Sequence, residues 1–135
     1  MIELTSDQQK LVKHYESFDL EDLYNLIGNQ ADEYLSGPDK QRYVLGTPNV
    51  FKRGNRIVED ARQKICEHRQ GLEKAGAMIK GNVLDPIAWV STIIDYIMDL
   101  KILAGMPPIA VAMAMGHVCS WSLAKLCSSP AKSVT

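Results

Sequence analysis

The sequence predicts an all-α fold, a compact bundle of about five helices forming one domain over residues 1–135. Three observations predict it. Apolar residues recur every three to four positions in several stretches, cap, proline and glycine signals separate those stretches, and no period-two run competes as a strand. At this length folding buries roughly two-thirds of the unfolded chain's surface, so a core is available without staples.

Ser6 with Gln9 matches a capping box, and Leu11, Val12, Tyr15 and Phe18 follow at helical spacing, so the first helix is expected over about 6–16. Asp19 is placed to cap the second, whose stripe runs through Leu20, Leu23, Tyr24, Ile27, Ala31, Tyr34 and Leu35 until Gly37-Pro38 stops it. These two acidic helices occupy 6–36. Pro38, Asp39 and Gly46 mark a connection, with one short helical turn expected around Gln41 to Leu45. Thr47 then caps and Pro48 takes the first position of a basic helix, 48–80, carried by Val50, Phe51, Ile57, Val58, Ala61, Ile65, Leu72 and Ala75. Gly54, Gly71 and Gly76 each weaken it by up to about 1 kcal/mol, with a bend expected near Gly71. Asp85-Pro86 repeats the cap-plus-proline signal and opens a helix to Ala104, closed by Gly105. Pro107-Pro108 opens the last, ending near Cys127. The expected result is a very apolar C-terminal helical hairpin, 86–127, followed by a flexible tail, 128–135.

Charge is segregated along this chain. Residues 1–39 hold nine acids against Lys10 and Lys13, a net of −7, while residues 40–82 carry +6, and the total is only −1. Lys52, Arg53 and Arg56 cluster at the start of the basic helix, and Lys40 and Arg42 precede them. Farther along, Arg56/Asp60, Asp60/Lys64 and Arg69/Glu73 are i, i+4 pairs that neutralise one another. The helix N-terminus could present the first bases to a phosphate, but acidic neighbouring helices and a near-neutral chain argue against a nucleic-acid footprint. The complementary partner is the acidic block, with Asp19, Glu21 and Asp22 opposite Lys52, Arg53 and Arg56. If the blocks lie on different faces, head-to-tail association follows.

From Ile102 to Ala124 there are 23 residues without a full charge unless His117 is protonated, long enough to cross a bilayer. Gly105, Met106, Pro107 and Pro108 divide that run, which favours a helix buried inside a bundle over a membrane span. Ile94, Ile97, Val111 and Met115 are its expected core residues. Ala112, Gly116, Ser120 and Ala124 form a small-residue ridge, and Ser91, Thr92, Asp95 and Asp99 a polar stripe.

GxSxG, P-loop, HExxH, GxGxxG and zinc-ligand spacings are absent, so no catalytic residue, metal ligand or cofactor is expected. His14, His68 and His117 are far apart, and Cys66/His68 and His117/Cys119, two residues apart, project to different sides of a helix. Cys66, Cys119 and Cys127 are odd in number and lack CxxC spacing, so they are expected to be reduced, buried packing residues of a cytoplasmic protein. The opening MIELTSDQQK carries acids and amides where an export signal needs a basic flank and an apolar core.

The resulting expectation is a non-enzymatic interaction or assembly module that self-associates, or docks on a protein partner, through opposed acidic and basic surfaces. Two alternatives are a membrane-active protein that inserts its 86–127 hairpin, and a small enzyme or metal protein using Asp95, Asp99 and His117.

Overall fold

The computed structural model describes residues 3–68 and 83–127. Among the described residues the chain is helical throughout its regular elements. These are α1 (Ser6–Tyr15), α2 (Leu20–Tyr34), a single turn α3 (Gly37–Lys40) running into a π turn (Gln41–Leu45), α4 (Val50–Cys66), α5 (Pro86–Asp99), α6 (Ile109–Val118) and a 3-10 turn (Leu123–Lys125). The bend near Gly71 and the tail 128–135 lie outside the described residues.

The helix starts follow capping chemistry, in two cases at a different residue from the one expected. Thr5, not Ser6, caps α1: its hydroxyl accepts from Gln8 N at 3.1 Å and the Gln8 side chain accepts from Thr5 N at 2.8 Å. Two overlapping frames exist in Thr5-Ser6-Asp7-Gln8-Gln9, and Gln9 instead donates to the Leu4 carbonyl. Asn49, not Thr47, caps α4 by accepting from Lys52 N at 2.9 Å, because the Thr47 hydroxyl is taken by Arg56 at 2.8 Å. Asp19 and Asp85 cap α2 and α5, accepting from Asp22 N and Ala88 N at 2.8 Å each.

The helix ends are earlier than expected. α4 stops at Cys66 rather than running to Lys80, α5 at Asp99 rather than Ala104, and α6 at Val118 rather than Cys127. Lys101 and Leu103 after α5, and Ser120 and Trp121 after α6, take left-handed backbone conformations with φ of 52–62°. Such non-glycine residues break the helix as effectively as Gly105 and give no glycine or proline signal.

α2 and α4 pack backbone against backbone. A Cβ on Gly54 would overlap the Tyr24 carbonyl, and one on Gly28 would overlap the Val50 carbonyl. These two glycines form a reciprocal notch, which is why α4 tolerates the weak helix former at 54. Arg53 fastens the crossing. It is buried, and its guanidinium donates to the carbonyls of Gly28 (3.0 Å), Thr47 (3.0 Å) and Pro48 (3.1 Å).

α6 is the centre of the molecule, packed on α1, α2, α4 and α5, and every residue from Ile109 to Gly116 is buried. Trp89 of α5 is fully buried, and its indole N–H donates to the Ala112 carbonyl at 2.9 Å. Ile94, Ile97, Val111 and Met115 are all buried. Ile97→Ala is expected to lower stability by about 2–5 kcal/mol, read as the shift in chemical unfolding. An unchanged midpoint would remove Ile97 from the core.

The small-residue ridge is not a helix-docking surface. It ends with α6, so Ser120 and Ala124 lie beyond the helix and are exposed, and Gly116 faces the Trp121 ring, which occupies the space a Cβ would need. Trp121 stacks edge-on against Trp89 at 6.2 Å between centroids and against His117 at 5.2 Å. Gly116→Leu is expected to expel that ring and cost about 1–3 kcal/mol by overpacking, with a red-shifted tryptophan emission as the sign that Trp121 has moved to solvent. Unchanged emission and stability would place the Trp121 ring elsewhere.

Candidate functional site

The acidic residues singled out in the sequence stand at the start of α2, exposed. Asp19 and Asp22 form a reciprocal capping box, Asp22 accepting from Asp19 N at 3.4 Å, and Glu21 lies in the same first turn, where the helix dipole favours carboxylates. Among the described residues none of the three forms an ion pair. Asp32 and Glu33, at the other end of α2, are exposed as well.

The basic residues are not brought together on one surface. Lys52 is exposed, Arg56 is half-buried, and Arg53 is internal, as described above. Arg53 therefore leaves the expected partner-binding set: it is buried and answers three backbone carbonyls at the α2–α4 crossing, which takes it off the surface that a partner's carboxylate would meet. Arg62 is also buried, donating from Nε to the Leu126 carbonyl at 2.7 Å and lying 3.5 Å from Glu59. The accessible basic surface is smaller than the sequence count implies.

Beside Arg56 lies a polar groove of about 400 Å³, bounded by the π turn, α4 and the residues after α5. Asp60 is its hub. Its Oδ2 accepts from Tyr43 OH at 2.9 Å and from Arg42 Nη2 at 3.2 Å, and Arg56 Nε stands 4.0 Å away. Both guanidinium groups also approach the Tyr43 ring, at 5.4 and 5.6 Å from its centroid. Arg42, closer to Asp60 than Arg56 is, therefore takes much of the neutralising role that the i, i+4 spacing gave to Arg56. Burial, reinforced by the hydrogen bond to the Asp60 carboxylate, pushes the Tyr43 hydroxyl up to about 12, so at neutral pH it serves as a donor and not as a base. Lys64 and Lys101 stand at the groove's margin, and left-handed Lys101 and Leu103 form one wall. A π turn and left-handed residues meeting at one groove is a geometry often associated with recognition. The sequence marks the π turn as a short helical turn but gives no signal that Lys101, 56 positions or more away, lines the same groove.

Asp95, Asp99 and His117 do not assemble. Asp95 and Asp99 are exposed on α5, whereas Ser91 and Thr92 of the same expected stripe are buried, with the Thr92 hydroxyl donating to the Ala88 carbonyl at 3.0 Å. His117 stacks on Trp121, and the carboxylate whose field reaches it is Asp19. Among the described residues no three His, Cys, Asp or Glu side chains stand close enough to hold a metal ion. No helix among them is long and apolar enough to cross a membrane.

His117 Nε2 is buried without a hydrogen-bond partner, and burial holds the imidazole below its usual value, partly opposed by Asp19. The fold thus favours the neutral ring. Above the unfolded-state value of about 6.5 neither state is protonated and the group contributes nothing; below it the unfolded chain takes up the proton first, and stability falls as pH drops toward the folded value. The stability difference between wild type and His117→Gln is expected to be flat above about pH 7 and to shift in favour of the variant at lower pH. A pH-independent difference would contradict this assignment.

The cysteines depart from the expectation. Cys66 and Cys127 form a disulfide across a sequence separation of 61, and only Cys119 is a buried free thiol. Cys66 ends α4 and Cys127 follows the 3-10 turn, so the fold brings together two residues that linear spacing does not relate. The inference from reduced thiols to the cytoplasm loses two of its three residues. Burial pushes the Cys119 thiol up to about 11, which leaves it protonated and unreactive.

No protein-family model, curated protein or solved structure matches this chain.

Proposed function

We propose that this chain is a non-enzymatic helical assembly module that associates with copies of itself through opposed charged surfaces. The observation that carries this reading is the unbalanced acidic surface: Asp19, Glu21 and Asp22 are exposed and make no ion pair among the described residues. Arg42 and Arg56 pair with Asp60 of α4 itself, which leaves the acidic block to an external cation. Lys52, which is exposed, and Arg56, half-buried and partly neutralised by Asp60, supply the positive side. The acidic residues open α2 and the bases stand on α4, two helices that pack directly on each other. A cytoplasmic site of action rests on the Cys66–Cys127 bond being open there, since intact disulfides persist mainly in oxidising compartments.

A charge exchange tests the pairing. Lys52→Glu with Arg56→Gln is expected to weaken self-association about tenfold or more, measured by sedimentation at low salt. Asp19→Asn, Glu21→Lys and Asp22→Gln keep a competent cap at α2 while making the acidic surface less negative, and in the same molecule should recover part of the loss. Equal association in all three proteins would refute the pairing.

A further inference from the structure

We infer that the Cys66–Cys127 disulfide is a redox-operated clasp that fastens residues 119–127 over the end of α4. The bond lies at the edge of the core: both cysteines pack against it but are only partly buried, at the last residue of one helix and just after the 3-10 turn, within reach of a small thiol. A chain of this size with a fully buried interior around α6 does not depend on a staple to fold. What the bond holds is an irregular segment, tied to the rest of the fold by single hydrogen bonds and by the side chains of Trp121, Leu123 and Leu126.

Those ties are specific. Ser120 and Trp121 are left-handed, Ser122 makes an isolated antiparallel bridge with Val83, and Trp121 O accepts from Leu84 N at 2.9 Å. Arg62 holds the carbonyls of Leu126 and Lys125 at 2.7 and 3.3 Å, and Leu126 is fully buried beneath the clasp. Short irregular segments with isolated bridges belong to the low-stability end of local opening. A covalent tie at its far end therefore decides how often the segment opens. Opening uncovers Leu126 and Leu123 and withdraws the Lys125 and Leu126 carbonyls from Arg62, which keeps Glu59 beside it, converting a closed end of the molecule into an apolar surface.

The chemistry is thiol–disulfide exchange. A thiolate of a monothiol such as glutathione bonds to one sulfur of the pair and the S–S bond breaks, its electrons leaving on the other sulfur, which takes up a proton. A second thiol displaces the mixed disulfide, so two thiols of reductant become one disulfide while Cys66 and Cys127 end as thiols. Cys119, buried and protonated, stays out of the exchange.

The full chain is equilibrated with glutathione buffers from cytosol-like to secretory-pathway-like poise, the thiols are alkylated and counted by mass, and amide exchange is followed in parallel. The expected result is one free thiol at the oxidising end and three at the reducing end. On reduction residues 119–126 should exchange at nearly the rate of unstructured chain, while α2 and α4 exchange faster only in proportion to the lower global stability and stay far more protected than 119–126. Cys66→Ser with Cys127→Ser should show the fast exchange at every poise. Three results each overturn the clasp: a bond that survives every buffer, which makes it a permanent staple; three free thiols throughout; or loss of protection in α2 and α4 together with 119–126, which makes reduction global unfolding.

Discussion

Gly54→Ala is expected to destabilise the protein by about 2 kcal/mol or more, although helix propensity alone predicts a gain of up to about 1 kcal/mol. The sign reverses because position 54 is not a free helical surface. The added Cβ would overlap the Tyr24 carbonyl, a main-chain group that moves only if α2 moves with it. Arg53, one residue earlier, bonds the Gly28 carbonyl, so separating the helices also loosens a buried guanidinium from its acceptor. The urea midpoint of Gly54→Ala beside that of Gln63→Ala, an exposed position on the same helix, separates the two effects. A stabilised Gly54→Ala would mean that α2 and α4 do not meet at this notch.

Cys66→Ser with Cys127→Ser is expected to cost about 4 kcal/mol of global stability, since the bond closes a loop of some 60 residues in the unfolded chain. Domains of this kind commonly have about 5–15 kcal/mol in total, so the double variant should remain folded but with a clearly lower unfolding midpoint. Reduction of the wild type should reproduce that shift. An unchanged midpoint in both would mean that the bond does not form in solution.

The parts of this fold written in local chemistry were legible. Asp19 and Asp85 announce helix starts because a side-chain oxygen meeting a nearby backbone N–H is a contact three residues long. The all-apolar stretch after Pro108 reads as an interior helix because no face of it suits water. Glycine at 54 was read only as a weak helix former, because its purpose is a contact with Tyr24, 30 positions away on another element. Arg53 counts as surface charge in the sequence, and nothing there singles out Arg62, for the same reason: the carbonyls they meet come from residues 28, 47, 48, 125 and 126. The early ends of α5 and α6 were hidden because Lys101, Leu103, Ser120 and Trp121 have no intrinsic preference for the left-handed region. The Cys66–Cys127 pairing and the groove around Asp60 are products of tertiary structure, and the groove's traces in the sequence are local ones, the short turn at 41–45 and the Arg56/Asp60 and Asp60/Lys64 spacings.

The most direct test of the assembly reading is the solution mass of the full chain, measured by sedimentation equilibrium from low to high salt. Exposed charges that attract between molecules lose reach as the Debye length contracts from about 10 Å at 0.1 M to about 3 Å at 1 M. The account predicts a mass above that of the 15.0 kDa chain at low salt, falling toward it as salt rises. A single 15.0 kDa species at every salt concentration, or an oligomer whose mass ignores salt, would contradict it.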